Sequence, residues 1–377
     1  MEDEAAAAEE CATPRDAGSS LLASLDGMSQ ALWDTLDEAV SKIEGKQAQE
    51  RVLEKFAENV PAVFDETAER IVATLRATAS NMLAEYAALD AAQAAEVQER
   101  WGDALAAYRT LWVSSHEVGE AFSRRHFTPA GVSPSAMVHA QIGLQARACR
   151  VGSEVFALLR AGLGAGALAR SRTLQEIATI STVLAQHGGP DGDHPDLAER
   201  YLRHADVVSW IDAVEYQEVA PKLGYAPLSA AEMDELQEPR DEAVARYGDA
   251  FGKPNGWAAR VMRNQKAPRF KDLEVLASAD HMRMHYSWAS HEVHADAKSW
   301  VMNHETIGDV TYRNTGPSSR GMADAGQLAL MALTQVTENA LYSAPDVAEH
   351  PADIIAVMVL DKLLDRAWVA FSKADGA

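Results

Sequence analysis

Apolar positions recur at helical spacing along almost the whole chain. Leu21, Leu25, Met28, Leu32, Leu36 and Ile43 step by three, four or seven residues, which places them on or near one helical face up to a stop at Gly45. A second periodic stretch begins near Lys46, is interrupted or restarted at Pro61, and continues through Ile71, Leu75, Met82 and Tyr86 to about Leu89. A third runs from about Ala91 through Trp101, Leu105, Tyr108, Leu111 and Trp112 to Phe122. The polar stretches between them are brief, so the pattern predicts long antiparallel helices with short connections.

The pattern breaks over residues 124–134. Ser133 followed by Pro134 predicts a helix start, because serine caps free amides and proline at the first helical position gives up no needed donor. That helix reaches about Arg160, and the next covers about 163–186, ending in a Gly- and Asp-rich loop over 187–193. Further helices are predicted over 196–220, 229–247, 271–303, 319–342 and 346–372, and only 305–312 reads as strand-like. The expected fold is therefore all-α: a multi-helix bundle with long N-terminal antiparallel helices packed on or beside a helical core domain. The expected divisions are an acidic tail over 1–18, an N-terminal helical region over 19–126, a helical core domain over 133–345 and a C-terminal helix over 346–377.

Composition agrees with that class and narrows the function. Hydrophobic residues make up 47% of the 377 positions and aromatic residues only 7%, which favours helices over sheets. Against 34 Lys and Arg stand 56 Asp and Glu, a net charge of −22, which disfavours general DNA binding and a polybasic membrane surface. The longest strongly apolar run, 354–360, is far shorter than the roughly 18 residues of a membrane span. The N-terminus shows neither the basic nor the apolar region of a secretory signal, so a cytoplasmic location and no membrane partner are expected. Cys11 and Cys149 are too few for a disulfide framework or a Cys-rich zinc site.

One window inverts the charge. Residues 250–271 hold no carboxylate but six cations, Lys253, Arg260, Arg263, Lys266, Arg269 and Lys271, leaving −28 on the rest of the chain. Arg260, Arg263 and, further round, Lys266 fall on one side of a predicted short helix, with Trp257 before them and Pro268 ending it. Such a face suits phosphate, or RNA through base stacking; the alternative is that it docks on the protein's own acidic surface.

Histidines cluster next. His281, His285, His291, His294 and His304 fall within 24 residues of a chain that has twelve in all. At 100° per residue, Arg283, Tyr286, Ser290 and His294 form one narrow stripe, with His281 and His285 opposite. The pairs His281/His285 and His291/His294 have spacings that can hold a divalent metal, the second with Asp296 or Glu176 as an oxygen ligand, although His291-Glu292-Val293-His294 is one residue short of the helical zinc signature. The stripe suits anion recognition or a buried hydrogen-bond network. On the 163–186 helix, Arg172 and Glu176 lie one turn apart amid apolar residues, which predicts a partner for each within an interior polar network. The glycines of 162–166 are not a phosphate loop, since no strand precedes them and no Gly-Lys-Ser/Thr follows.

Taken together, Arg172-Thr173-Leu174-Gln175-Glu176 and the later Tyr286-x3-Ser290-x2-Val293-His294 resemble a bacterial family of helical domains of unknown function, over about residues 135–345. The resemblance implies that Arg172, Glu176, Tyr286, Ser290 and His294 belong to one site. More distantly, a late helix carrying a motif histidine is similar to the HEPN superfamily of helical nucleotide-binding and RNA-cleaving proteins. Their nucleases use Arg-x4–6-His, whereas seven residues separate Arg283 from His291 here, so the catalytic arginine of that motif is missing.

The leading expectation is a bacterial helical protein that binds a ligand or partner through Arg172, Glu176, Tyr286, Ser290 and His294. Arg260, Arg263, Lys266 and Arg283 would draw an anionic ligand. The same five residues are the catalytic candidates if the protein is an enzyme, either a HEPN-like ribonuclease or a metal-dependent hydrolase using His291, His294 and a carboxylate. A third reading is a scaffold that forms a homodimer through residues 21–122. No organic cofactor is expected, and a divalent metal stays open.

Overall fold

The computed structural model describes residues 33–126, 135–189, 192–294, 297–302, 304–307, 309–313 and 315–376. The acidic tail, the positions Leu21 to Leu32 and the Ser133-Pro134 pair lie outside them. The chain divides into two compact units, residues 1–92 and 93–377. As the composition implies, the described residues are almost wholly helical, and no helix among them is long and apolar enough to cross a membrane.

In the first unit a helix, α1, described over 33–41, is followed by a turn at Gly45, whose φ of +102° no other residue type would adopt without strain. Helix α2 (Lys46–His126) then begins. Two antiparallel helices are expected in this region, but the structure has one continuous helix of 81 residues. From Lys46 to Trp101 the sequence has no glycine and a single proline, and the expected break near residue 90 offers only Leu89-Asp90-Ala91. Alanine-rich propensity carries the helix through, and Pro61 removes one bond from an otherwise unbroken ladder.

The second unit takes the rest of α2, whose Trp101, Tyr108, Leu111 and Phe122 are all buried. Ser135 caps α3 (Ala136–Arg160) by accepting from the Val138 amide. Helix α4 (Gly164–Gly188) is central, packing most extensively on α3 and α10 (Met322–Tyr342) and also meeting α5 (Leu197–Leu223), α7 (Phe270–Leu276) and α8 (Arg283–His291). It buries Leu174, Ile177, Val183 and Leu184. Close approach is possible at its start because a Cβ on Gly164 would sit 2.1 Å from the Arg320 carbonyl oxygen. Helices α5 (Leu197–Leu223) and α6 (Ala230–Tyr247) pair, the first closed by left-handed Gly224 and the second opened by a Ser229/Glu232 capping box. Helix α11 (Pro351–Asp375), with proline at its first position, lays Phe371 against α10 at Gly326.

Buried side chains of α3, α4 and α10 share a sealed polar cluster. The Ser181 hydroxyl donates to the Gln141 amide oxygen at 2.7 Å, and the Asn339 amide donates to Ser181 at 3.2 Å and Thr182 at 2.9 Å. Every member is less than a tenth exposed. Nearby, burial and then the hydrogen bond and charge of Asp361 push the Glu338 carboxyl up to about 7. A raised carboxyl pKa means the fold binds the proton better than the unfolded chain, so this contribution is complete below about pH 4.5 and is lost as pH rises through 7. Glu338→Gln should therefore raise stability at pH 8 by roughly 1–2 kcal/mol after solvent screening and leave it unchanged at pH 4. Urea unfolding at the two pH values checks this.

The predicted helix over 271–303 is not continuous. It resolves into α7 (Phe270–Leu276), a 3-10 turn over Asp280–Met282, α8 (Arg283–His291) and α9 (Ala297–Met302). The break is a Schellman closure with serine where glycine is usual: Ser278 has φ +55°, its amide meets the Val275 carbonyl at 3.1 Å, and the Ala279 amide meets that of Glu274 at 2.8 Å. Strands β1 (His304–Ile307) and β2 (Val310–Arg313) form an antiparallel hairpin where the sequence reads as strand-like.

The short helix expected to carry Arg260, Arg263 and Lys266 is also corrected. A 3-10 turn covers Gly256–Val261, and the chain then runs irregularly to α7. Extended Met262 (ψ 133°) separates Arg260 from Arg263, and left-handed Gln265 (φ +51°) separates Arg263 from Lys266, so the three share no helical face.

Candidate functional site

Three of the predicted residues converge where α4 meets α8. The Arg172 guanidinium donates to the Tyr286 hydroxyl at 2.6 Å, and that hydroxyl donates to Glu176 Oε1 at 2.8 Å. Arg172 also pairs with the Glu176 carboxylate directly at 3.2 Å. The phenol thus bridges an ion pair spanning one helical turn. Each partner satisfies the other two, as the half-buried surroundings require. The site is open rather than sealed: the Arg172 and Glu176 side chains keep 19% and 36% of their exposure. The sealed network lies further along α4, at Ser181.

The Tyr286 ring is held from several directions. Phe270 stacks on it at 5.1 Å between centroids, and the guanidinium carbons of Arg172 and Arg283 lie 4.6 and 5.0 Å from its centre. Burial raises the phenol above its ordinary pKa, and Glu176 adds to this, outweighing the opposing hydrogen bond and charge of Arg172. The hydroxyl therefore keeps its proton at neutral pH and remains the donor to Glu176.

The remaining predicted residues do not join this group. Ser290 follows Tyr286 by one turn, but its hydroxyl donates to the Tyr286 carbonyl at 2.7 Å, within its own helix. His294 lies beyond the end of α8 and is exposed. Continuous helical projection placed it on the stripe, and the helix stops at His291. Arg283 is engaged with Glu274 at 2.5 Å, neutralising a carboxylate that is only 1% exposed. His281 lines a small cleft of about 190 Å³ between α4, α10 and the 277–282 turn, together with Gln175, Thr179 and Gln335. Among the described residues no three His, Cys, Asp or Glu side chains form a metal cluster, and Asp296 lies outside them.

The basic window divides. Arg260 turns to Asp196 at 3.7 Å. Burial opposes the charge on Asp196, but the Arg200 hydrogen bond and the two guanidinium charges hold its carboxyl below the usual range. This is the docking on the protein's own acidic surface that the sequence leaves open. Arg263 is exposed. Lys266, by contrast, lines a cleft of about 670 Å³ with Lys253, Arg269 and Phe270, and Asp249 is its single carboxylate. Two hydrogen bonds fix the walls: Asn255 donates to the Pro268 carbonyl at 3.2 Å, and buried His204 donates through Nε2 to that of Lys253 at 3.0 Å. Burial lowers the His204 pKa, keeping the ring neutral at pH 7. Lys253, Arg269 and Phe270 are site residues that helical projection missed. Their signal was the carboxylate-free run itself, which includes all three.

Phe270 joins the two features, lining the cationic cleft and stacking on Tyr286. No curated protein and no solved structure matches the chain. Residues 139–308, which contain Arg172, Glu176, Phe270, Tyr286 and every residue lining the cationic cleft, match the model of a family of unknown function, DUF5677.

Proposed function

We propose that the helical unit is a binding module for a small phosphate-bearing anion, taken up in the cleft of Lys253, Lys266 and Arg269. The observation that carries this reading is the shared wall. Phe270 offers the cleft an aromatic face, and behind it the Arg172–Tyr286–Glu176 bridge fixes that face in place. Three cations around an opening of this size suit two or three phosphate groups. The −28 on the rest of the chain disfavours a long polyanion such as RNA, which would extend past the cleft into repulsive surface. Arg172, Tyr286 and Glu176 act in this reading as positioning residues, with no reaction assigned to them.

Isothermal titration with inorganic tripolyphosphate tests it. Binding is expected to weaken as salt is raised, and Lys253→Glu/Lys266→Glu should reduce affinity by about tenfold or more. Arg260→Glu/Arg263→Glu, which changes charge by the same amount away from the cleft, should reduce it by less than about threefold. Equal effects of the two double variants would overturn the assignment to the cleft.

A further inference from the structure

The cavity of about 190 Å³ between α4, α10 and the 277–282 turn lies wholly within the second unit and shares no residue with the anion cleft. Its floor is buried, with Ala178, Leu328 and Ala332 beside the hydroxyls of Thr179 and Thr182. Met282 and Met331 are half-buried in its lining, and the exposed side chains Gln186, Ser278, His281 and Gln335 form the rim. The walls are preformed: α4 and α10 pack extensively on each other, and the third wall is the Schellman closure at Ser278, whose turn amides are already bonded.

Two features define what fits there. In a chain that is 24% charged, none of the fourteen lining residues is Asp, Glu, Lys or Arg. A charged ligand would lose its hydration and meet no counter-charge in the lining. The second feature is Gln175, whose Nε2 is buried without a hydrogen-bond partner among the described residues. Its neighbours are engaged: the Thr179 hydroxyl donates to the Gln175 carbonyl at 2.9 Å, Thr182 accepts from Asn339 at 2.9 Å, and the Gln335 amide donates to Asn339 at 3.2 Å. A buried donor left unmet is costly, and a ligand that brings an acceptor removes that cost. Size sets the rest. An apolar cavity of about 150 Å³ takes up benzene, so this one has room for an aromatic ring and a small polar group, with the two methionines adapting to the ring. A carboxamide matches a glutamine amide, since each offers a carbonyl beside an NH₂.

We propose that this cavity binds a small uncharged aromatic amide whose carbonyl oxygen accepts from Gln175 Nε2. The inference is independent of the anion cleft. A ligand-detected NMR titration of the full chain with benzamide tests it, and saturable binding with a Kd below about 1 mM is expected. Benzoate, of the same shape but charged, should bind at least about tenfold more weakly. Gln175→Leu should weaken benzamide by about fivefold or more, yet melt no lower than the parent, because it removes a donor that the ligand-free fold leaves unmet. Absence of saturable benzamide binding, benzoate binding as tight as that of benzamide, or an affinity indifferent to Gln175→Leu would overturn the proposal. So would a lowered melting temperature of Gln175→Leu, which would give the side chain a structural role instead.

Discussion

Replacing Gly256 by alanine should cost about 3 kcal/mol of stability and remove anion binding with it. The added methyl would lie 2.3 Å from the Ala250 carbonyl oxygen and 2.4 Å from that of Phe251, and both are backbone atoms. Neither side can yield cheaply. Phe251 and Trp257 are buried on either side of the contact, Phe251 against His204 and Tyr247, and Trp257 against Tyr201. The loop so displaced carries Lys253 and Asn255, so strain at Gly256 is transmitted to the cleft wall. Gly143→Ala is the matched control, because its methyl would meet nothing within 4 Å and helix propensity alone predicts a gain of a few tenths to about 1 kcal/mol. Guanidinium unfolding of both variants measures the contrast. A loss below about 1 kcal/mol for Gly256→Ala would show that the 249–256 turn gives way.

The second large effect is expected at the bridge between α4 and α8. Arg172→Met leaves Glu176 and the Tyr286 hydroxyl without their cation and should cost about 2 kcal/mol, while Tyr286→Phe should cost about 1–2. The double variant should fall short of their sum by about 1 kcal/mol, because each single change already breaks the bond they share. The phenol reports the same geometry by titration. Arg172 is the group that lowers its pKa and Glu176 one of those that raise it, so Arg172→Met should move the Tyr286 transition up and Glu176→Gln should move it down. Ultraviolet titration against Tyr286→Phe isolates the transition, and shifts of the same sign in both variants would contradict the bridge.

The fold class was legible because it rests on a property repeated over many residues. The abundance of alanine and the scarcity of aromatic and β-branched runs determine it, and local errors cannot change it. Individual boundaries depended on single residues. Ser229 and Glu232 announce the start of α6, and Pro351 that of α11, because capping chemistry is local. Pro61 and Asp90 misled: a proline within a strongly helical run costs less than ending the run. Ser278 gave no warning, since a left-handed serine has no compositional signal and depends on the tertiary closure around it.

The same distinction explains the site. Arg172 and Glu176 were legible as a partnered pair because both lie on one unbroken helix, and Tyr286 because it is within α8. His294 was misplaced because its angle was projected across the end of that helix. The cleft cations were counted correctly but grouped wrongly, since Arg260 and Arg263 belong together only on a continuous helix, and extended Met262 lies between them. Phe270 was invisible as a site residue. Its stacking on Tyr286 is a contact between separate elements, which periodicity does not encode.

The most direct test of the link between cleft and bridge is a tripolyphosphate titration of protein carrying 13Cζ-labelled tyrosine, followed by NMR. Of the nine tyrosine resonances, the one that Tyr286→Phe removes should shift along the binding isotherm, and Lys253→Glu/Lys266→Glu should abolish the shift. Saturable binding that leaves the Tyr286 resonance in place, or a chain that binds no tripolyphosphate, would contradict the reading.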